Sequence, residues 1–121
     1  MQIGRGTAIA LTAKLDKTNP RGIHIGDYTA VCFGVVILSH DSRNRRHADT
    51  WIGDHCLIGG ESIIYPGVRI GNHCVIGLGS VVMRNVPDGS IVSGFPARVV
   101  GSCGETGRYG VSLAAGIEPR A

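Results

Sequence analysis

From Ile52 to Val86 an aliphatic residue returns at every sixth position: Ile52, Ile58, Ile64, Ile70, Ile76 and Val82. Glycine follows four of them, at Gly53, Gly59, Gly71 and Gly77, and a compact residue stands four places after each, at Cys56, Ser62, Val68, Cys74, Ser80 and Val86. A period of six matches neither the helical 3.6 nor the 2 of a lone strand. It matches a prism with three flat sides, one hexad to a side, so that one coil takes about 18 residues. The spacing then predicts Ile52 stacked on Ile70, Ile58 on Ile76 and Ile64 on Val82, in coils about 4.8 Å apart that hydrogen-bond as parallel strands. The aliphatic fills the interior, the compact residue fits beside it, and glycine takes corner conformations that other residues resist.

The ladder starts earlier, at Ile3, Ile9 and Leu15, with Thr7 and Ala13 in the compact slot. The next rung, due at position 21, arrives at Ile25, so the turn-rich run Thr18-Asn19-Pro20-Arg21-Gly22 absorbs four extra residues. After Ile25, Val31 and Ile37 the next inward slot would be Asp41, a charge whose unpaired burial is costly. The chain therefore leaves the prism at His40 and rejoins it at Ile52, nine residues late. The polar excursion 41–50 predicts a protruding loop, and functional residues favour such loops on rigid scaffolds. The expected organisation is a repeat domain over 1–101, with Ser90 to Val100 completing the last coil, and a short irregular tail over 102–121. Within the tail, Val111 to Ala115 is a candidate short helix or strand. The tail is expected to be weakly ordered unless it docks, or to cap the open end of the stack.

With 121 residues, one domain is expected. The net charge of +3 suits an anionic ligand, but only 5% of residues are aromatic and no basic stripe interleaves them, which argues against nucleic acid. No apolar run approaches the ~20 residues of a membrane span, and the opening Met1-Gln2-Ile3-Gly4 reads as repeat rather than signal peptide. Cys56 and Cys74 fall in the inward slot as small apolar residues, Cys32 at a corner and Cys103 in the tail, without a Cys-x-x-Cys pair. Reduced thiols and a cytoplasmic location follow as expectations. So narrow a prism has a limited core, which predicts prisms packed side by side.

The ordered set Ile25-Gly26-Asp27, Ile63-Ile64-Tyr65-Pro66-Gly67-Val68-Arg69-Ile70-Gly71, Val75-Ile76-Gly77-Leu78-Gly79-Ser80-Val81-Val82 and Gly94-Phe95-Pro96-Ala97-Arg98-Val99-Val100 resembles the hexapeptide-repeat acyltransferases. The resemblance runs from about Leu15 to Gly101. It implies an all-β fold, a left-handed parallel β-helix, and a homotrimer that moves an acetyl group from acetyl-CoA to a hydroxyl or amine of a sugar-like acceptor. In that family a histidine after an aliphatic run and before the loop is the general base, and His40 in Ile37-Leu38-Ser39-His40 occupies that place. The chemistry needs one, because the attacking group must shed a proton, and imidazole accepts protons near neutral pH. Asp16 and Asp41 are both candidates to orient it. The resemblance also implies that pantetheine runs along coil backbone at Gly60 and at Leu78, where the family often has alanine. Arg84, where lysine is common, and Arg98 would meet the coenzyme's phosphates. Trp51 lies one hexad before the family's tryptophan position, which here is Leu57; it lines the acceptor pocket or anchors the loop. Arg43, Arg45 and Arg46 either meet an anionic acceptor or form a solvated loop tip.

Two other readings stay open. The γ-class carbonic anhydrases share the fold and bind zinc through three histidines; His55 and His73, eighteen apart, should stack on one corner, but two ligands fall short of the three or four zinc needs. No metal is therefore expected, and the pair reads as corner histidines. A non-catalytic β-helix scaffold is the other alternative.

Overall fold

A computed structural model describes residues 1–41, 43, 45–104 and 106–110. The first coil comprises β1 (Gln2–Ile3), β2 (Ala8–Ile9) and β3 (Lys14–Leu15), and the second β4 (Ile23–Ile25), β5 (Ala30–Val31) and β6 (Val36–Ile37). A hairpin of β7 (His40–Asp41) and β8 (Arg46–His47) interrupts the stack. The third coil is β9 (Thr50–Ile52), β10 (Leu57–Ile58) and β11 (Ile63–Ile64), and the fourth β12 (Arg69–Ile70), β13 (Val75–Ile76) and β14 (Val81–Val82). β15 (Ser90–Gly94) and β16 (Ala97–Ser102) follow. The strands stack into three flat sides: β1-β4-β9-β12 on the first, β2-β5-β10-β13-β15-β16 on the second and β3-β6-β11-β14 on the third.

Pairing along each side is parallel and in the register that the period of six demands: Ile52 lies on Ile70, Ile58 on Ile76 and Ile64 on Val82. The insertions leave that register intact. Ile3 pairs with Ile25 across the four extra residues, and Ile25 pairs with Ile52 across the nine. Both insertions are thus expelled from the prism while the inward rungs stay aligned, because a slip would carry the aliphatic set to the solvent face.

The inward aliphatics from Ile23 to Val92 form one continuous core with Val35, Cys56, Val68, Cys74 and Val86 in the compact slot. The polar members of that slot are matched rather than stranded. Thr29 Oγ1 donates to the Gly53 carbonyl at 2.8 Å, Ser62 Oγ to Gly77 at 3.0 Å, and Cys56 Sγ to Gly71 at 3.1 Å. Among the described residues no buried side-chain oxygen or nitrogen lacks a partner, as burial of polar groups requires. All four cysteines are free thiols. No helix among the described residues is long and apolar enough to cross a membrane.

The corner between the first and second sides explains the recurring Gly-Asp and Gly-Asn pairs. Asp27 Oδ1 accepts the Arg5 N–H, Asp54 Oδ1 the Asp27 N–H, Asn72 Oδ1 the Asp54 N–H and Asp88 Oδ1 the Asn72 N–H, all at 2.7–2.8 Å. Each of these oxygens occupies the space that a Cβ on the preceding coil's corner glycine would fill: 2.1 Å away at Gly26, 2.3 Å at Gly53 and 2.1 Å at Gly71. On the same corner Tyr28, His55 and His73 take φ of 51°, 54° and 57°, and the two imidazoles stack at 5.3 Å and 3°.

The C-terminal end departs from expectation. Ile91 and Val92 continue the ladder on Val75 and Ile76, but the chain reverses after Gly94, at φ 112°, and β16 lies antiparallel on β15. Ser90 to Val100 is therefore a hairpin closing the second side rather than a full coil. The described residues beyond it, 103, 104 and 106–110, run back along the histidine corner. Cys103 donates its N–H to Gly89, Thr106 its N–H to His73 Nδ1 at 3.0 Å, and Tyr109 its N–H to Tyr28 at 2.7 Å. His55 Nδ1 donates to the Gly107 carbonyl at 3.2 Å, and Arg108 lies 4.7 Å over the Tyr28 ring. The stretch Val111 to Ala115 lies outside the described residues.

A methyl group at position 53 should therefore break one step of the corner ladder. Gly53→Ala places a Cβ against Asn72 Oδ1 and the Gly71 backbone, and overpacking with loss of a hydrogen bond should cost about 2–4 kcal/mol. An unchanged denaturant midpoint for this variant would contradict the ladder.

Candidate active site

The root of the hairpin is fixed from both sides. Thr50, where the chain rejoins the prism, donates its hydroxyl to the Leu38 carbonyl at 2.6 Å and accepts the Gly67 N–H at 3.0 Å. Ala48 donates its N–H to the Ser39 carbonyl at 2.9 Å. The four-residue insertion of the preceding coil supplies the rest. Asn19 Nδ2 donates to that same Ser39 carbonyl at 2.9 Å, and Ser39 Oγ donates to the Asn19 carbonyl at 2.5 Å. Asp16 Oδ2 accepts the Ser39 N–H at 2.9 Å, while its Oδ1 accepts those of Thr18 and Asn19. Ser39 is wholly buried, and its N–H, carbonyl and hydroxyl are all engaged. The backbone that carries His40 is thereby held before the chain departs.

His40 itself is half-buried on β7, cross-strand from His47. The two rings meet edge to face at 5.8 Å. Desolvation pushes the Asp16 carboxyl up, but the N–H groups of Ser39, Thr18 and Asn19, with the nearby His40, outweigh it and hold the group below the ordinary aspartate value. Asp16 is thus tied to the root of the hairpin, on the N–H of the residue that precedes His40. Asp41, the other candidate, accepts the Arg43 N–H at 3.0 Å and so shapes the hairpin turn. Arg43, Arg45 and Arg46 are exposed along that hairpin. Asn19, Thr50 and His47 were not anticipated. The displaced rung at Ile25 was the available signal for Asn19, since the extra residues had to pack somewhere beside the root.

The expected coenzyme wall lies at the corner between the second and third sides. Gly60 lies over Phe33, whose ring fills the space a Cβ would need, 2.7 Å away. The Gly60 carbonyl accepts the Gly79 N–H at 2.9 Å. No acceptor for the N–H groups of Gly60 and Leu78 is found among the described residues. Leu78 projects into solvent, 71% exposed, one coil beyond. The wall therefore offers two backbone donors and an apolar edge, which fits an amide-bearing chain. Arg84 and Arg98 are exposed, and neither is ion-paired among the described residues, where the salt bridge is that of His24 with Asp49 at 3.3 Å.

Trp51 lies on the first side, between its register neighbours. His24 stacks on it at 3.8 Å and 10°, and the Arg69 guanidinium lies 4.9 Å from its ring centre. Among the described residues no group of three or more histidine, cysteine, aspartate or glutamate side chains is placed to hold a metal ion.

An aspartate at position 16 should be required as a carboxylate. Asp16→Asn turns an amide NH₂ toward an N–H donor whichever way it is oriented, so at neutral pH the variant should lose about 1–3 kcal/mol. Because the folded carboxyl titrates below its unfolded value, its contribution is present above about pH 3.9 and is lost as pH falls through the lower folded value. The gap between wild type and Asp16→Asn in denaturant melts should close at acid pH. A gap independent of pH would contradict this role.

Residues 49–84 match the family described as bacterial transferase hexapeptide (six repeats). The chain is 35% identical over 102 residues to the Bacillus subtilis (strain 168) protein YvoF, covering 83% of this chain and 59% of that one. It spans between 48% and 59% of the length of the curated relatives it matches. Among solved structures it superposes on a hexapeptide-repeat-containing acetyltransferase from Vibrio cholerae O1 biovar eltor, complexed with acetyl coenzyme A, with a TM-score of 0.73 and 31% identity over 83% of this chain and 58% of that one. It also superposes on a maltose O-acetyltransferase from Clostridium difficile 630, with a TM-score of 0.69 and 27% identity over 86% of this chain and 70% of that one. The repeat in the sequence, the three-sided stack of parallel strands and these likenesses agree that the chain belongs to the hexapeptide-repeat transferase family.

Proposed function

We propose that the protein transfers an acetyl group from acetyl-CoA to a hydroxyl or amine of a sugar-like acceptor, with His40 as general base. The observation that carries this is the rigid root: Ser39 is engaged through every polar group it has, and Asp16 presents a carboxylate beside the histidine that follows. A catalytic base needs its geometry set in advance, and a solvated loop histidine would not require such a clamp. The named activities of the Vibrio and Clostridium proteins support the reaction class, and the second supports a sugar hydroxyl.

In the proposed step the acceptor oxygen attacks the thioester carbonyl while His40 takes its proton. A backbone N–H steadies the oxyanion. As the intermediate collapses, the C–S bond breaks and the proton passes to the departing thiolate, giving the acetyl ester and free coenzyme A. Asp16 holds the backbone that carries the base, through the Ser39 N–H. The reading includes left-handed winding, a cytoplasmic location and a homotrimer with its sites between prisms: His40 and the hairpin on one wall, the Gly60–Leu78 corner of a neighbour on the other, and Arg84 and Arg98 toward the coenzyme's phosphates. The loop arginines, 43, 45 and 46, face an anionic acceptor in the same picture. A long, flexible cosubstrate suits a cleft between two flat walls.

His40→Ala should lower kcat by about 10²–10⁴ with little change in KM for acetyl-CoA, read by release of free thiol. A folded variant with full turnover would refute the mechanism. Sharing of sites is tested by mixing His40→Ala subunits with Leu78→Trp subunits, whose substitution is on an exposed corner. Part of the activity should return in mixed trimers, and mixed trimers that form without regaining activity would place both walls on one subunit.

A further inference from the structure

A cleft of about 450 Å³ opens on the outer face of the first side, across the third and fourth coils and the turn that follows. Its wall includes Trp51, Arg69, Asn72 and Asn85, and among its lining residues there is no aspartate or glutamate. Arg69 is exposed but not loose: its guanidinium lies over Trp51, which is itself backed by His24. Stacking of this kind restrains a guanidinium while leaving its N–H edge available. No carboxylate among the described residues forms a salt bridge with Arg69.

The two asparagines are oriented by the fold. Asn85 Oδ1 accepts the Arg69 N–H at 2.9 Å, and Asn72 Oδ1 accepts the Asp54 N–H at 2.8 Å. With each oxygen committed to backbone, each amide presents its NH₂ as a donor, and neither NH₂ has an acceptor among the described residues. The nearby carboxylates of Asp54 and Asp88 lie outside the lining and accept backbone N–H groups on the corner ladder. The cleft thus combines one restrained cation and two amide donors in a concave site of ligand size.

We propose that this cleft is an anion-binding subsite, holding a carboxylate or phosphate on Arg69 with Asn72 and Asn85. It deepens the acetyl-transfer reading and rests on it only for the source of the anion: an acidic sugar unit of the acceptor or a phosphate of the coenzyme. Trp51 is the sole tryptophan of the chain, so its emission reports directly on Arg69. The 121-residue chain is titrated with inorganic phosphate, glucuronate, coenzyme A and 3′-dephospho-coenzyme A. A saturable change in emission is expected with at least one of them. Asn85→Asp keeps an oxygen for the Arg69 N–H but exchanges the donor for a negative charge, and it should raise the half-saturating concentration about tenfold or more. A preference for glucuronate assigns the subsite to the acceptor; a preference for coenzyme A over its dephospho form assigns it to the cosubstrate. No saturable change with any probe, or unaltered binding by Asn85→Asp, overturns the proposal. Saturable binding in a protein that releases no thiol from acetyl-CoA would leave the subsite standing and remove the acetyl-transfer reading instead.

Discussion

Everything in this structure depends on one contact repeated along a single corner: a side-chain oxygen of one coil seated against a glycine of the coil before it. The oxygen accepts a backbone N–H from that coil, and only a residue without a Cβ leaves it room. The contact sets both the spacing of the coils and their rotational phase. Once it is repeated from Arg5 to Asp88, the inward aliphatics have no choice of partner, and the core follows as a column of matched rungs.

The active-site candidate grows from two places where this regularity is broken. Four residues are extruded after Asp16 and nine after His40, and the rungs on either side still pair. Successive coils bring the two extrusions to the same corner, so Asn19 and Asp16 grip Ser39 from below while, from beyond, Ala48 closes on it and Thr50 holds the Leu38 carbonyl before it. A rigid repeat cannot by itself make a concave, polar site. Here it gains a braced polar root by expelling residues whose polar groups then satisfy one another there.

The rungs, their register and the lengths of both extrusions were legible in the sequence, because with a period of six the inward slot admits few residue types and a misplaced one is obvious. Asp41 in an inward slot marked the exit at His40 for that reason. The partners of the exit were not legible. Asp16 and Asp41 are equal on paper, and the hydrogen bond that ties Asp16 to the root, from the Ser39 N–H across twenty-three residues, depends on how an irregular turn folds. The outward residues are free of the period altogether. His24, Trp51 and Arg69 share a register position on one side, yet nothing in the repeat requires that an outward ring meet another ring or a guanidinium. The reversal at Gly94 was hidden for a related reason: Ile91 and Val92 satisfy the rung pattern, and the turn back comes only after it is met.

The chain from Cys103 to Gly110 changes how such a stack comes apart. A pile of coils in which each touches only its neighbours can peel from a free end, one layer at a time. In this protein the returning segment is stitched to Gly89, His73, His55 and Tyr28 in turn, so it runs lengthwise across layers that otherwise meet only face to face. The last hairpin cannot lift away without dragging that thread off the second, third and fourth coils. Unravelling from this end is therefore tied to several layers at once, and a solenoid short enough to be vulnerable to fraying behaves at that end as one cooperative body.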